Sequence, residues 1–79
     1  MNTKKSSVER IRFKQSLSLK EVEIIKLICD EKTTAEIACY MKNSPRTIEN
    51  HRRRIISKIG CKNVTGIVKY AIENNIYKL

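Results

Sequence analysis

The positions at which helices can begin constrain this chain more than any other feature of its sequence. Ser18 and Thr33 are each followed three residues later by Glu, which is the capping-box pattern of a helix N-terminus. Ser44 and Pro45 combine a favoured N-cap with a residue that loses no needed hydrogen bond at the first helical position, and Asn63 can cap once more. These signals predict four helices, over about residues 19–30, 34–41, 45–59 and 64–74.

Apolar residues recur at helical spacing within these segments, so each predicted helix has an inward face. The third helix carries one narrow isoleucine stripe, and we expect Ile67, Val68, Ala71 and Ile72 of the fourth to point inward. A chain of 79 residues with one Pro and two Gly has room for one small domain and favours helices over a turn-rich β fold. The sequence therefore predicts an all-α fold, a small four-helix domain over residues 17–79, with residues 1–16 as a tail or linker.

The connection between the second and third helices is only about three residues long, which is the helix-turn-helix arrangement. Asn43 is the residue in this connection that best tolerates a left-handed conformation. Gly60 is expected to end the third helix in the same conformation. The second and third helices therefore form a central helix-turn-helix in the predicted fold.

The basic residues of the chain are concentrated around the third helix. Lys and Arg number 17 against 8 acids, for a net charge of +9 and a pI near 9.8, which favours a polyanionic partner. From Lys42 to Lys62 there are seven bases and one acid, so this segment carries six of the nine net charges. A solvated basic face is the plain alternative, but the start signal, the turn and the base-compatible side chains coincide here and favour nucleic-acid binding.

The side chains of the third helix suit the edges of DNA bases. Arg can pair with guanine, Asn with adenine, and Glu can accept a hydrogen bond from cytosine. We therefore predict base contacts by Glu49, Asn50 and Arg53, although an ion pair between Glu49 and Arg53 is an open alternative. Contacts to the DNA backbone are predicted for Ser44, Arg46, Thr47, His51, Arg54 and Lys58.

Other classes of protein find little support in the sequence. No apolar run reaches the roughly 18 residues of a membrane span, and the N-terminus lacks the apolar region of a secretory signal, so we expect a cytoplasmic protein without a membrane partner. The odd count of cysteines (Cys29, Cys39, Cys61), with no CxxC pair, argues against a disulfide framework and a zinc site. No pairing of nucleophile and base is present, so we expect no enzyme activity, no cofactor, no metal and no small-molecule ligand.

Four blocks of residues match a known motif set at its spacing. They are Leu17-Ser18 with Glu21 and Glu23, Thr33-x-x-Glu36-Ile37-Ala38, Ser44-Pro45-Arg46-Thr47-Ile48-x-x-His51, and Ile55-x-x-Lys58-Ile59-Gly60. In these blocks, and over roughly residues 17–77, the chain resembles the LuxR/FixJ-type helix-turn-helix domain, also called the GerE type. One departure is Glu31, which stands where the family commonly has Gly, so we expect strain in that turn.

The resemblance implies the DNA-binding domain of a bacterial transcription regulator, with the third helix in the major groove of double-stranded DNA. It implies backbone contacts by Thr47 and His51 and base-facing positions for Glu49, Asn50 and Arg53. It also implies a homodimer through the fourth helix, for which Val64, Ile67 and Tyr70 are the candidate residues. The alternative is a place in the core of the same chain, which is favoured more for Ile67 than for Val64 or Tyr70.

The domain of this family usually follows a receiver or sensor domain of a response regulator and recruits or blocks RNA polymerase. We expect this chain to be either such an output domain or a small stand-alone regulator. Two other hypotheses stay open from the sequence. The first is a promoter-binding module like region four of a sigma factor, and the second is a protein-interaction module such as an anti-activator.

Overall fold

Four helices make up the fold of residues 17–79, which are the residues that the computed structural model describes. They are α1 (Leu19–Cys29), α2 (Thr34–Met41), α3 (Pro45–Ile59) and α4 (Val64–Glu73). No strand occurs in this range, so the predicted all-α fold with a central helix-turn-helix is confirmed. The predicted tail or linker, residues 1–16, lies outside the described residues. Within the described range, no helix has the length and apolar content needed to cross a membrane.

Each helix begins at the cap that the sequence predicts. The hydroxyl of Ser18 accepts a hydrogen bond from the backbone N–H of Glu21 at 3.1 Å, and the Glu21 carboxylate accepts from the N–H of Ser18 at 2.9 Å. Thr33 forms the same reciprocal box at the start of α2, while Ser44 caps α3 and Asn63 caps α4 with single side-chain hydrogen bonds. These bonds satisfy backbone donors that would have no partner within the helix.

All four helices end in one way, with a residue in the left-handed conformation followed by a backbone hydrogen bond that reaches back five residues. The left-handed residues are Glu31 (φ 63°), Lys42 (φ 59°), Gly60 (φ 81°) and Asn75 (φ 58°). This is the Schellman arrangement. Its closing N–H to C=O bonds measure 2.8–3.3 Å and run from Lys32 to Leu27, Asn43 to Ala38, Cys61 to Ile56 and Ile76 to Ala71.

Asn43 tolerates the left-handed conformation best in this connection, but Lys42 is the residue that adopts it. The N–H of Asn43 bonds to the carbonyl of Ala38 at 2.9 Å, so the residue before Asn43 must make the left-handed turn. Side-chain preference favours Asn, but the hydrogen-bond register of the helix end decides the position. Gly60 takes the predicted conformation.

The core is built almost entirely from isoleucine. Its buried residues are Ile24, Ile25, Ile28, Ile37, Ala38, Ile48, Ile55, Ile59, Ile67 and Ala71. They come from all four helices, and α3 packs against each of the other three. Ile72 was expected to point inward and is instead 37% exposed, because α4 turns Ile67 and Ala71 to the core and leaves Ile72 at its edge. The other three helices cover the isoleucine side of α3, so the opposite side of α3 is the one open to solvent.

The left-handed Glu31 gives a test of the turn after α1. Replacing Glu31 with Gly should raise the free energy of unfolding by about 0.5–1 kcal/mol, because relief of the left-handed strain exceeds the extra chain entropy of Gly. Urea denaturation measures the change. The control Lys26→Gly, at an exposed right-handed position in α1, should lower stability by about 1 kcal/mol. Loss of stability in both variants would contradict the inference that the left-handed conformation strains Glu31.

Candidate nucleic-acid interface

The face of α3 that points away from the core is polar and basic. Ile48, Ile55 and Ile59 are buried on one side of the helix. At about 100° per residue, the opposite side presents a row of exposed side chains, namely Arg46, Asn50, Arg53 and Ser57, with the exposed Arg54 beside it. No acidic or apolar side chain interrupts the row. The predicted orientation of α3 is therefore the observed one.

Two of the predicted base readers contact each other on this face. The Arg53 guanidinium donates a hydrogen bond to the side-chain oxygen of Asn50 at 3.1 Å, and both residues are exposed. The alternative considered from the sequence, an ion pair between Glu49 and Arg53, is not the pairing observed. The side chains of Asn50 and Arg53 are therefore joined on the exposed face of α3.

One flank of the row is tied to α2 through Glu49. The Thr34 hydroxyl donates to Glu49 Oε2 at 2.8 Å and accepts from Arg52 Nη2 at 2.9 Å. Arg52 Nη1 also lies 3.8 Å from Glu49 Oε2. Arg52 Nε is buried and has no hydrogen-bond partner within residues 17–79. Glu49 is therefore held between the two helices of the helix-turn-helix, while its side chain stays 45% exposed.

The other flank is tied to α1 through a buried ion pair. Lys58 Nζ donates to both carboxylate oxygens of Glu21, at 2.8 and 3.0 Å, and the Glu21 side chain is only 3% exposed. The contact of Lys58 with a DNA phosphate stays a prediction, while its ammonium already donates to a carboxylate inside the molecule. Glu21 thus caps α1 and anchors α3 with one carboxylate.

The environment of Glu21 keeps this carboxylate ionised. Burial raises its pKa, but the hydrogen bonds and charge of Lys58 and the hydrogen bonds of Ser18 lower it more. The net result is a pKa below the ordinary value of 4.5. The Glu21 carboxylate is therefore ionised at neutral pH.

His51 lies on the same flank and carries little charge at neutral pH. Burial of the ring and the nearby positive charges of Arg54 and Lys20 hold the pKa of His51 below 6.5, against an opposing effect of Glu21. Its Nδ1 atom is buried without a hydrogen-bond partner within the described range. The other ring nitrogen is the one left to meet a ligand.

The N-terminus of α3 brings Ser44 and Thr47 together. The Ser44 hydroxyl accepts from the Thr47 N–H at 3.1 Å and lies 3.0 Å from the Thr47 hydroxyl. Ser44 is exposed and Thr47 half-buried. The two hydroxyls therefore stand at the positive end of the helix dipole, beside Arg46.

The residues predicted for a dimer contact on α4 divide into two kinds. Ile67 is completely buried in the core of its own chain, so its assignment to a dimer surface is corrected. Val64 and Tyr70 pack against the core but keep part of their surface open. The same helix lines an open cavity of about 360 Å³ together with Cys61 and Lys62.

Sequence reasoning missed Thr34, Glu21 and the role of Arg52. Thr34 and Glu21 were read as part of helix starts, and their partners lie 15 to 37 residues away along the chain. Helical periodicity was the one signal that could have suggested these contacts. It places Glu49 and Lys58 on opposite flanks of the row, where each can reach a neighbouring helix. Among the described residues, no cluster of three or more His, Cys, Asp or Glu could hold a metal ion.

Comparison with known proteins agrees with this geometry. Residues 15–71 match the family model GerE, described as bacterial regulatory proteins of the luxR family. The chain is similar to the solved "Structure of Transcription factor, GerE", with a TM-score of 0.74 at 25% identity, over 81% of this chain and 97% of that one.

Similar sequences occur in longer proteins. The "Probable transcriptional regulator ycf29" of Porphyra purpurea is 36% identical over 95% of this chain, and the "Oxygen regulatory protein NreC" of Staphylococcus aureus (strain JH9) is 35% identical over 76% of it. The chain spans 37% and 28% of their lengths, about a third. These matches favour the regulator over the sigma-factor and protein-interaction hypotheses. The chain therefore belongs to the luxR family of bacterial regulatory proteins and is a helix-turn-helix DNA-binding domain of a transcription regulator.

Proposed function

We propose that this domain recognises a specific duplex sequence by placing α3 in the major groove of DNA. The observation that carries the proposal is the uninterrupted row of exposed polar and basic side chains on α3, opposite its buried isoleucines. An α-helix fits the major groove, and only there does each base pair present a distinct pattern of donors and acceptors.

Base reading is assigned to Asn50, Arg53 and Glu49. Asn50 and Arg53 are both exposed, and a hydrogen bond joins their side chains. Their groups suit adenine and guanine respectively. Glu49 uses one carboxylate oxygen toward Thr34 and Arg52, which leaves Oε1 to accept a hydrogen bond from cytosine.

Backbone contacts are assigned to the residues around this row. Arg46 and Arg54 are exposed cations that can neutralise phosphates, and Ser44 and Thr47 stand at the positive end of the helix dipole. His51 would donate from the ring nitrogen that is not buried, in the neutral form that its lowered pKa favours. Such contacts fix the register of α3 on the duplex without reading its sequence.

The proposal includes a homodimer on a two-fold symmetric site. Val64 and Tyr70 are its candidate contact residues, since each keeps part of its surface open on α4. Binding in this form predicts that a dyad-symmetric duplex is preferred over a single half-site. We also propose a cytoplasmic location, since the proposed partner is double-stranded DNA.

Fluorescence anisotropy with random and selected duplexes across a salt series tests the proposed function. A DNA reader should select one motif, and its log K should fall linearly with log salt by about 0.9 for each phosphate neutralised. A shallow salt dependence without selection of a motif would contradict the proposal.

Loss of one base reader should weaken binding at one position. Arg53→Ala should cost about 1–3 kcal/mol on the preferred duplex and relax the preference at a single base pair, because the bidentate contact to guanine is lost. Lys26→Ala removes the same charge from the exposed side of α1 and serves as the control. Equal losses for the two variants, with all base preferences retained, would remove Arg53 from the base readers.

A further inference from the structure

We propose that Thr34, in the first turn of α2, is a positioning residue that determines which base Glu49 selects. The inference rests on the proposed function, because it names a specificity determinant that lies outside the reading helix. It starts from the hydroxyl that joins Glu49 Oε2, at 2.8 Å, to Arg52 Nη2, at 2.9 Å.

The hydrogen-bond chemistry of this contact allows only one arrangement. An ionised carboxylate can only accept and a guanidinium can only donate, so the hydroxyl must donate to Glu49 and accept from Arg52. Thr supplies one donor and two acceptor sites, which fits both partners at once. Arg52 Nη1 is 3.8 Å from the carboxylate, so the hydroxyl provides the shorter connection between the two charges.

The contact fixes one oxygen of Glu49 and leaves the other open. Oε2 carries the contacts of both Thr34 and Arg52, while the Glu49 side chain remains 45% exposed. A glutamate on a helix surface otherwise moves among several rotamers. With Oε2 held in this way, we expect Oε1 to be restricted to one place on this flank, as a single acceptor for the amino group of cytosine.

Charge balance explains why an acid is tolerated beside the basic row. A carboxylate near DNA phosphates is repelled, and the electrostatic cost is smaller when a cation stands beside it. Arg52 is only 21% exposed and its Nε is buried, so it neutralises Glu49 from the protein side rather than from the duplex side. Thr34 therefore links a half-buried cation to the acceptor that we assign to the groove.

The experiment compares base preferences of variants on the duplex that the wild type selects from a random library. Anisotropy gives the affinity for that duplex and for every single base-pair change. Glu49→Ala should flatten a preference of about tenfold for cytosine at one position. Thr34→Val, which keeps the shape and removes the hydroxyl, should flatten the same position to within about twofold. The position read by Arg53 should keep its preference in both.

Two further variants separate positioning from a general loss of structure. Thr34→Ser retains the hydroxyl and should retain the cytosine preference. The double variant Thr34→Val with Glu49→Ala should lose no more at that position than Glu49→Ala alone, because both changes act through the same contact. Urea denaturation of each variant checks that it is folded.

The outcomes separate this inference from the proposed function. If Thr34→Val keeps the full cytosine preference, or if Glu49→Ala leaves every preference unchanged, the inference is overturned while DNA recognition stands. If the wild type selects no motif at all, the proposed function fails, and the inference fails with it. The inference is supported if Thr34→Val and Glu49→Ala lose the base preference at the same position and Thr34→Ser retains it.

Discussion

Replacing Lys58 with Met should lower the free energy of unfolding by about 3 kcal/mol. Glu21 would keep its buried place, with 3% of its side chain exposed, but would lose the ammonium that donates to both of its oxygens. Removing one partner of a buried pair costs far more than a surface pair, because the remaining charge is left unpaired. Urea denaturation followed by circular dichroism gives the value.

A double variant and the pH dependence identify the cause. Glu21→Gln with Lys58→Met should recover most of the loss, because no buried charge remains. In the wild type the pKa of Glu21 lies below 4.5, so its contribution to stability is present above that pH and is lost as pH falls below it. This acid loss should shrink in Lys58→Met, because part of the lowered pKa comes from Lys58. If Lys58→Met left the stability unchanged and weakened binding to all DNA sequences equally, Lys58 would be a phosphate contact rather than a stabilising partner of Glu21.

Replacing Ile67 with Ala should lower the free energy of unfolding by about 2–5 kcal/mol. Ile67 is fully buried among the isoleucines of the core, so truncation removes apolar contacts and leaves a cavity. The loss should be independent of protein concentration, because the side chain packs within its own chain. Thermal and urea unfolding at two concentrations measure it.

Ile72, on the same helix, is the matched control. Its side chain is 37% exposed, so Ile72→Ala should cost less than about 1 kcal/mol. A loss for Ile67→Ala as small as this, combined with weaker self-association, would place Ile67 at a dimer surface after all. A large loss at both concentrations places it in the core.

The sequence predicts the helices of this fold better than the contacts between them. Helix starts depend on bonds between neighbours, such as Ser18 with Glu21, and these are visible in the spacing of residues. The end of α2 at Met41 was predicted correctly, but the left-handed turn after it lies at Lys42 rather than at Asn43. The N–H of Asn43, which any residue but Pro provides, sets this position through its bond to Ala38. A backbone hydrogen bond of this kind does not depend on the side chain, so it cannot be predicted from residue type.

The outward row of α3 was predictable because it follows from periodicity alone. The contacts on its two flanks were not predictable, because they depend on which helix packs beside each flank. The sequence does not show that Lys58 pairs with Glu21 of α1 or that Glu49 bonds to Thr34 of α2. These partners are distant along the chain and meet only when the helices pack. Ile67 was placed at a dimer surface because its helical position alone does not separate the core from a second copy of the chain.

The ties on both flanks of α3 have a consequence for how new binding preferences can arise. Arg46, Asn50, Arg53 and Ser57 point outward, and none of them takes part in the ties to α1 or α2. A combinatorial library restricted to these four positions, filled with residues that favour helices, should therefore yield folded proteins in most clones. Such a library would separate changes in base preference from changes in stability, which makes the domain a starting point for engineered DNA-binding proteins.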